Sequence, residues 1–237
     1  MSNIRLYHPN SIVENTTSLL SKEHTHYVVN VMRLKRGSNI NFFNKAGEWL
    51  SEIIFLEKDR VEVKFLNQIK DSTKVANIEL AVCLVKKNPM ETILQKATEL
   101  GISKILPIIS ERTEIKELNH DRAKKIVIEA TEQSNQLTPP EISKIMKLKD
   151  FIINLDNSTQ LFFADVNSKN NLKQDDVKAS NIKSILIGPE GDFSPAEREL
   201  ILANAKTTPF SISKNILRSD TAVISAISLV NFINKDH

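Results

Sequence analysis

Two short segments near the end of the chain combine residue types and spacings that bind ligands. The first, Ile187-Gly188-Pro189-Glu190-Gly191, follows an apolar run, and the second, residues 215–222, leads into an apolar helical pattern. The chain contains only five glycines. Two of them lie three residues apart after a predicted strand, which indicates a sharp turn or a backbone that a ligand approaches closely. Two loops of this kind can form one pocket.

The first loop differs from the known phosphate-binding loops. No G-x-G-x-x-G and no Walker Gly-Lys-Ser/Thr sequence occurs, and Pro189 removes one backbone donor, so phosphate binding is disfavoured. Backbone amides and carbonyls beside apolar walls suit an adenosine-containing cofactor without phosphates. The alternative is a purely structural Pro-Glu-Gly turn before a well-capped helix. The residues alone leave both interpretations open.

Other catalytic arrangements have less support in the sequence. Cys83 is the single cysteine and lies in an apolar run, which predicts a buried thiol and not a nucleophile. No C-x-x-C, H-E-x-x-H or Gly-x-Ser-x-Gly sequence is found. The histidines lack the spacing of metal ligands, so no metal is predicted; they are His8, His24, His26, His120 and His237.

Strands that alternate with long helices must position the two loops. This alternation, from about residue 75 to the end, predicts an α/β domain with a mostly parallel sheet covered on both faces. Ligands bind at the carboxyl ends of such strands, and both loops leave such ends. The predicted strands are Ile78–Val85, Lys104–Ile109, Leu161–Ala164, Ile182–Ile187 and Pro209–Ile212. The predicted helices are 88–100, 121–133, 194–203 and 219–231, with caps at Asn88, Gly101 and Ser194.

Residues 1–70 have a different pattern. Short β-like runs at 39–43, 49–56 and 60–66 are separated by polar turns, which predicts a small β-rich barrel or sandwich. We therefore place a domain boundary in the polar stretch that follows, with domains at 1–70 and 75–237. Residues 167–181 are interpreted as a solvated surface loop.

The charge of the chain is too small to indicate nucleic-acid binding, and its hydropathy indicates neither a signal peptide nor a membrane span. The net charge is +3, and the whole excess lies in residues 1–70, which carry ten Lys and Arg against seven Asp and Glu. So small an excess does not establish nucleic-acid binding. The N-terminus has no apolar core of signal-peptide length and no run is long enough to span a bilayer. We expect a cytoplasmic protein that does not bind membranes.

Over nearly its whole length the chain resembles the RsmE family of 16S ribosomal RNA uridine-N3 methyltransferases, within the knotted SPOUT class. The four blocks that carry the resemblance occur in order. They are Arg5-Leu6-Tyr7-His8 with residues 26–37; residues 95–101 running to Ser110-Glu111-Arg112; residues 129–134; and the two C-terminal loops.

The resemblance implies a PUA-like β-barrel that helps hold RNA, followed by a SPOUT domain with a deep trefoil knot. It implies S-adenosylmethionine as cofactor and methylation of N3 of a specific uridine in 16S rRNA, within the small ribosomal subunit. Members of this class are typically homodimers that pack through the knot region. Small residues of the last helix suit such packing; they are Ala222, Ser225 and Ala226.

The resemblance also implies roles for particular residues. Arg218 is the first candidate for a catalytic or substrate-orienting residue, with an ion pair to Asp220 or Glu190 as the alternative. Asp220 or Glu190 is expected either to accept the N3 proton or to steady the sulfonium charge. Arg5, Arg33 and Arg36 are expected to contact the RNA backbone. The expected cofactor residues are Ile187, Gly188, Pro189, Glu190, Gly191, Ile212, Ser213, Ile216 and Leu217.

The chain departs from the family pattern at four positions. The family usually has Gly at Ser213, Arg at Gln136, often Gly at Asp192, and Glu at Asp220. Ser213 adds a side chain beside the cofactor, and Gln136 removes a charge expected to contact RNA. These two changes motivate the alternative of a non-catalytic RNA-binding or ribosome-assembly protein. A third hypothesis is a nucleotide-using α/β enzyme that acts on a small metabolite.

Overall fold

The structure, a computed structural model, describes residues 4–72, 77–178 and 181–234. The chain divides into two compact units. The first comprises Met1–Lys74 with Thr131–Thr138, and the second comprises Val75–Ala130 with Pro139–His237. The assignment of Thr131–Thr138 to the first unit is not evident from the sequence, because residues 131–133 simply continue a helical pattern.

The first unit is built on a five-stranded sheet in the order β1-β3-β4-β5-β2. Strand β1 pairs with β3 in parallel and the other pairs are antiparallel. The strands are β1 (Arg5–Tyr7), β2 (Thr17–Leu19), β3 (Asn39–Asn44), β4 (Gly47–Leu56) and β5 (Val61–Asp71). Between β2 and β3 lie helix α1 (Lys22–His26) and a π-helical turn (Tyr27–Val31).

Alternating apolar side chains fix the register of the long hairpin β4-β5. Ile53 and Val63 are paired and fully buried, and Trp49 packs into the same core. Gly47 begins β4 with φ of 147°, and a side chain at this position would collide with Gln68 and the carbonyl of Lys70. The three strands predicted in this unit are confirmed, whereas β1 and β2 are too short to be detected by periodicity.

Arg5 is held by a network inside the first unit. Its Nε donates to Glu48 Oε2 at 3.1 Å, Nη1 to the carbonyl of Glu132 at 2.9 Å and Nη2 to the carbonyl of Gln136 at 3.0 Å. The guanidinium also lies 4.4 Å from the centre of the Phe43 ring. Only 9% of the Arg5 side chain is exposed. These contacts tie residues 131–138 to the sheet.

The second unit contains a parallel sheet in the order β12-β10-β11-β6-β7-β8, and β9 also pairs with β7. Every pair in this sheet is parallel, which confirms the predicted sheet type. The strands are β6 (Ile78–Cys83), β7 (Lys104–Ile109), β8 (Glu141–Ile142), β9 (Met146–Lys147), β10 (Thr159–Ala164), β11 (Ile182–Ile187) and β12 (Thr207–Phe210).

Helices cover both faces of this sheet, as predicted. One apolar cluster joins the sheet to α2, α3, α5 and α7, and a second joins the other face to α4 and α6. Within β6, Leu80 and Val82 face the first cluster, while Ala81 and Cys83 face the second. The helices are α2 (Lys87–Glu99), α3 (His120–Gln133), α4 (Leu148–Ile153), α5 (Gln174–Lys178), α6 (Pro195–Ala203) and α7 (Ser219–Asn234).

The structure confirms some of the predicted helix caps and corrects others. Ser194 forms a complete capping box with Glu197, as predicted. Gly101 was predicted as the C-cap of α2, but the C-cap is Leu100, and Gly101 follows it with φ of 84°, the left-handed position that ends many helices. The predicted cap at Asn88 is wrong, because α2 begins at Lys87 and its N-cap is Lys86. Pro89 therefore lies within the first turn, where its missing N–H costs no helical hydrogen bond.

Two further predictions concern buried groups. Cys83 is buried, as predicted, and burial raises the pKa of its thiol to about 12, so the thiolate is absent at neutral pH. The interpretation of 167–181 as a solvated loop is wrong in part, because Leu172 and Val177 are buried and α5 lies in this segment.

Among the described helices, none is long and apolar enough to span a bilayer.

Replacing Arg5 with methionine is expected to destabilise the first unit by about 3 kcal/mol, because Glu48 would remain as a buried carboxylate without its cation. Trp49 is the only tryptophan and lies in this core, so denaturant unfolding followed by its fluorescence measures the effect. The control Arg60→Met, whose pair with Glu62 has 62% of the arginine side chain exposed, should change stability by less than about 0.5 kcal/mol. Equal effects of the two substitutions would contradict this prediction.

Candidate active site

Three neighbouring strands of the second unit end at the same edge of the sheet. Strand β10 lies between β11 and β12, and its Phe163 pairs with Leu186 on one side and Pro209 on the other. Because all three strands are parallel, the segments that follow them leave from one edge. The loops after β11 and β12 therefore meet across the end of β10.

A cavity of about 630 Å³ lies at this edge, within the usual range for small-molecule sites. Its walls combine backbone groups, aliphatic side chains and a few charged groups. The residues that line it are Ala164, Asp165, Val166, Ile187, Gly188, Pro189, Glu190, Gly191, Asp192, Ile212, Ser213, Asn215, Ile216, Leu217, Arg218, Ser219 and Ala222.

All nine predicted cofactor residues are among those that line the cavity. The sequence reasoning thus identified two of the three walls. It missed the third, which consists of Ala164, Asp165 and Val166 at the end of β10. The rule that ligands gather at carboxyl ends of parallel strands applied equally to β10, and an acidic residue directly after an apolar strand was the available signal.

Aromatic packing shapes the first loop, residues 188–193. The Phe193 ring packs so closely on Gly188 that a Cβ at Gly188 would lie 3.0 Å from it, and Phe193 also contacts the Phe163 ring in the core. The N–H of Asp192 donates to the carbonyl of Pro189 at 3.0 Å, which closes a turn. Asp192 has φ of 58°, a left-handed backbone conformation that glycine adopts without steric strain.

Short polar side chains organise the second loop, residues 211–218. The N–H of Ser211 donates to the carbonyl of Asn170 at 2.9 Å, so the chain leaves the sheet two residues earlier than predicted. The N–H of Asn215 donates to the Ser213 hydroxyl at 3.0 Å. The side chain of Ser213 thus stabilises its own loop, where the family pattern has glycine. Ile216 is 94% exposed at the rim of the cavity.

The three predicted catalytic residues are only partly brought together. Arg218 and Glu190 line the cavity and are exposed, whereas Asp220 is not among the lining residues. The carboxylate of Asp220 accepts the N–H of Thr221 at 2.8 Å, at the start of α7. Within the residues that the structure describes, Arg218 forms no ion pair with Asp220 or Glu190, so that alternative is wrong.

An ion pair fixes the third wall of the cavity. Arg198 on α6 donates to Asp165 Oδ2 from Nη2 at 2.7 Å and from Nε at 3.2 Å, and the Asp165 side chain is 2% exposed. The carboxylate raises the pKa of Arg198 through this hydrogen bond. Asp165 also accepts the N–H of Asn167 at 2.9 Å. The end of β10 is therefore tied to the helix that follows the first loop.

The three arginines predicted to contact RNA have different environments in the first unit. Arg33 and Arg36 are exposed, and Arg33 has φ of 52°, which is unusual for a long side chain. Arg5 instead has its donors engaged by Glu48 and two carbonyls. Its predicted role in holding RNA is therefore corrected to a structural one.

A parallel α/β sheet with a ligand-sized cavity at its carboxyl edge, formed by backbone loops, defines a cofactor-binding α/β protein; a small β-rich unit accompanies it. The chain belongs to the RNA methyltransferase family. The family model described as an RNA methyltransferase domain matches residues 71–231, and one described as an RNA methyltransferase PUA domain matches residues 20–66.

Individual relatives and a solved structure agree with this assignment. The chain is 35% identical to the ribosomal RNA small subunit methyltransferase E of Rickettsia conorii, covering 97% of this chain and 95% of the relative. It is 30% identical to the protein of the same name from Buchnera aphidicola, covering 94% of each. A crystal structure of the Neisseria gonorrhoeae enzyme bound to S-adenosyl methionine is 27% identical, with 98% of both chains covered and a TM-score of 0.90.

Replacing Gly188 with alanine is expected to destabilise the second unit by about 1–3 kcal/mol, because the buried Phe193 ring must move. The matched control is Gly191→Ala, whose added carbon would lie 3.8 Å from Arg112, an ordinary contact. This control should change stability by less than about 0.5 kcal/mol. Scanning calorimetry of both variants measures the difference, and similar destabilisation by the two would contradict the prediction.

Proposed function

We propose that this protein methylates N3 of a specific uridine in 16S rRNA of the small ribosomal subunit, with S-adenosylmethionine as methyl donor. The observation that carries the proposal is a cavity whose walls include both predicted cofactor loops. Membership in the RNA methyltransferase family supports the reaction type. The names of the relatives support the small-subunit rRNA as substrate.

The residues around the cavity fit the methyl donor. Ile187, Ile212 and Leu217 offer apolar surface for an adenine ring, and the loop backbone offers donors and acceptors. The exposed carboxylate of Glu190 suits a cationic sulfonium group, whereas the carboxylate of Asp165 is already paired with Arg198. When bound, S-adenosylmethionine supplies an electrophilic methyl group. The protein's own residues must then orient the uracil and remove a proton from its N3.

Arg218 is the residue we propose to orient the target base. It lies on the cavity wall, is exposed, and has no ion-pair partner within the described part of the chain. A guanidinium so placed can hold an RNA phosphate or stabilise the negative charge that develops on a uracil carbonyl as N3 loses its proton. The target base must be unpaired, because pairing blocks its Watson–Crick edge.

Glu190 is the better of the two candidates for accepting the N3 proton. It lines the cavity and is exposed to an incoming base, whereas the carboxylate of Asp220 already accepts a backbone N–H outside the lining. A general base must come within hydrogen-bond reach of the proton that it removes. The other role expected of these carboxylates is to stabilise the sulfonium charge of the cofactor. We propose Glu190 for this role too, because it lines the cavity and Asp220 does not.

RNA is proposed to contact Arg33 and Arg36 in the first unit. Both are exposed and follow the π-helical turn, and the strained backbone of Arg33 points to a functional constraint. Contacts of this kind with phosphates position an RNA without reading its sequence. The excess of positive charge in residues 1–70 favours the same unit for RNA binding.

A homodimer is proposed through an exposed face of α7. Ala226 is fully buried in the unit's own core and Ala222 lines the cavity, so these two do not present the predicted small-residue surface to a partner. Thr221, Ser228 and Phe232 remain exposed along one side of the helix. Sedimentation equilibrium measures the mass in solution, and a monomer at micromolar concentration would overturn this part of the proposal.

The decisive experiment is methyl transfer from labelled S-adenosylmethionine to small ribosomal subunits that lack the modification. Nuclease digestion and chromatography should then identify N3-methyluridine as the labelled product. Label on another base would overturn the uridine-N3 assignment. Cofactor and RNA binding without transfer would favour the non-catalytic alternative.

Replacing Arg218 with alanine is expected to reduce kcat at least tenfold, since losing about 1.4 kcal/mol of transition-state stabilisation suffices. The control is Lys214→Ala. Lys214 is an exposed cation of the same loop, and it does not line the cavity. The Lys214 variant should keep a kcat close to that of the wild type. Steady-state rates on unmodified subunits measure both, and a wild-type kcat for the Arg218 variant would exclude Arg218 from the site.

Replacing Glu190 with glutamine is expected to reduce kcat about 100-fold at neutral pH, the usual effect of losing a general base. The loss should shrink as the pH rises, because N3 of uracil then loses its proton without help. Asp220→Asn serves as the matched carboxylate control and should have a much smaller effect. A pH-rate profile decides, and a loss in Glu190→Gln that stays constant with pH would contradict the general-base role.

A further inference from the structure

The Ser110-Glu111-Arg112 block has no part in the mechanism proposed above, although it is one of the sequence blocks that carry the family resemblance. It follows β7, which is separated from β11 by β6 in the sheet. The N–H of Ser110 donates to Thr113 Oγ1 at 2.9 Å, and the N–H of Thr113 donates back to the carbonyl of Ser110 at 3.2 Å. These two hydrogen bonds hold the backbone of residues 110–113 in a turn, and the side chain of Arg112 extends from it.

Arg112 reaches the first cavity loop from outside the cavity. Its Nη1 donates to the carbonyl of Gly191 at 2.9 Å and, more weakly, to the carbonyl of Phe193 at 3.4 Å. The aliphatic part of its side chain packs beside Gly191. Arg112 itself does not line the cavity, whereas Gly191 does. Any effect of Arg112 on a bound ligand must therefore pass through this loop.

The two carbonyls that Arg112 binds flank the strained residue of the loop. Asp192, between them, has φ of 58°, a left-handed backbone conformation that Asp tolerates better than most residues but that still costs it more than glycine. Such conformations persist only where the surroundings impose them. Charge-assisted hydrogen bonds on both sides of Asp192 supply such a constraint. The N–H of Phe193 adds a local bond to Asp192 Oδ1 at 2.8 Å.

A second contact from the same block secures the end of the loop. The N–H of Glu111 donates to Glu197 Oε1 at 2.8 Å, and Glu197 Oε2 accepts the N–H of Ser194. Glu197 is buried, so both of its oxygens are engaged away from solvent. The block after β7 thus holds the loop through Arg112 and the first turn of α6 through Glu111.

We propose that Arg112 is a positioning residue that holds residues 188–193 in the conformation that binds the methyl donor. This inference rests on the proposed function for the identity of the ligand. Arg112 contributes by limiting the loop to one conformation before the ligand arrives, which lowers the entropy lost on binding. Removing the Arg112 side chain should therefore weaken binding of the methyl donor and leave the affinity for RNA unchanged.

The test compares Arg112→Met, which keeps the aliphatic packing on Gly191 and removes the donors, with Arg112→Lys, which keeps one charged donor. The control is Arg122→Met, an arginine of the same unit whose partner Glu91 lies on the surface. Calorimetric titration with S-adenosylmethionine should show Kd raised roughly 10-fold in Arg112→Met, less in Arg112→Lys, and unchanged in the control. RNA binding by all variants should equal that of the wild type.

Hydrogen exchange without any ligand provides an independent measurement. Amides of residues 190–193 should exchange faster in Arg112→Met than in the wild type or in Arg122→Met, because the loop opens more often. Unchanged exchange together with unchanged donor affinity would overturn the role of Arg112, as would a loss of RNA affinity alone. If the wild type binds no S-adenosylmethionine, the proposed function fails and the donor-positioning role fails with it. A wild type that binds the donor while Arg112→Met binds it equally well overturns only the inference about Arg112.

Discussion

The parallel pairing of β11, β10 and β12 is the constraint on which the cavity depends. Parallel strands of one sheet cannot be joined by a tight turn, so after β11 the chain crosses the sheet face through α6 and returns as β12 on the far side of β10. Each strand consequently ends at the same edge, and the loops after residues 187 and 210 face each other across the end of β10. Antiparallel pairing of either outer strand would send its loop to the opposite edge.

A site made largely from backbone groups requires that the backbone be rigid. The structure achieves this by tying the first loop and α6 to their neighbours on both sides. Phe193 anchors the loop in the core beneath Gly188, Glu197 joins α6 to the turn after β7, and Arg198 joins α6 to Asp165 after β10. Two of these ties use buried charged groups with satisfied partners, which is costly to disrupt. They explain why a loop rich in glycine and proline has a defined shape.

Sequence reasoning recovered the parts of the structure that depend on local patterns. Apolar runs located β6, β7 and β11 almost to the residue, and Ser194 with Glu197 marked the start of α6 because a capping box is local. The contacts of Arg5 were missed because they join segments distant in sequence. The third wall at Asp165 was missed although it directly follows β10, whose carboxyl end was as good a candidate as those of the other two strands. Arg5 resembled a surface cation in the sequence, and only its partners at 132 and 136 reveal its structural role. The trefoil knot stays a prediction of the family resemblance.

The shortage of glycine in this chain changes how its turns are made. With five glycines in 237 residues, left-handed backbone positions fall to Asn15, Asn135 and Asp192, residue types whose short polar side chains tolerate this conformation. Asp192 illustrates the consequence, because its carboxylate accepts the next N–H and partly offsets the strain. Arg33 has no comparable side-chain advantage. Its left-handed backbone, beside the π-helical turn, therefore requires another explanation, and the angle motivates the RNA contact that we propose for Arg33.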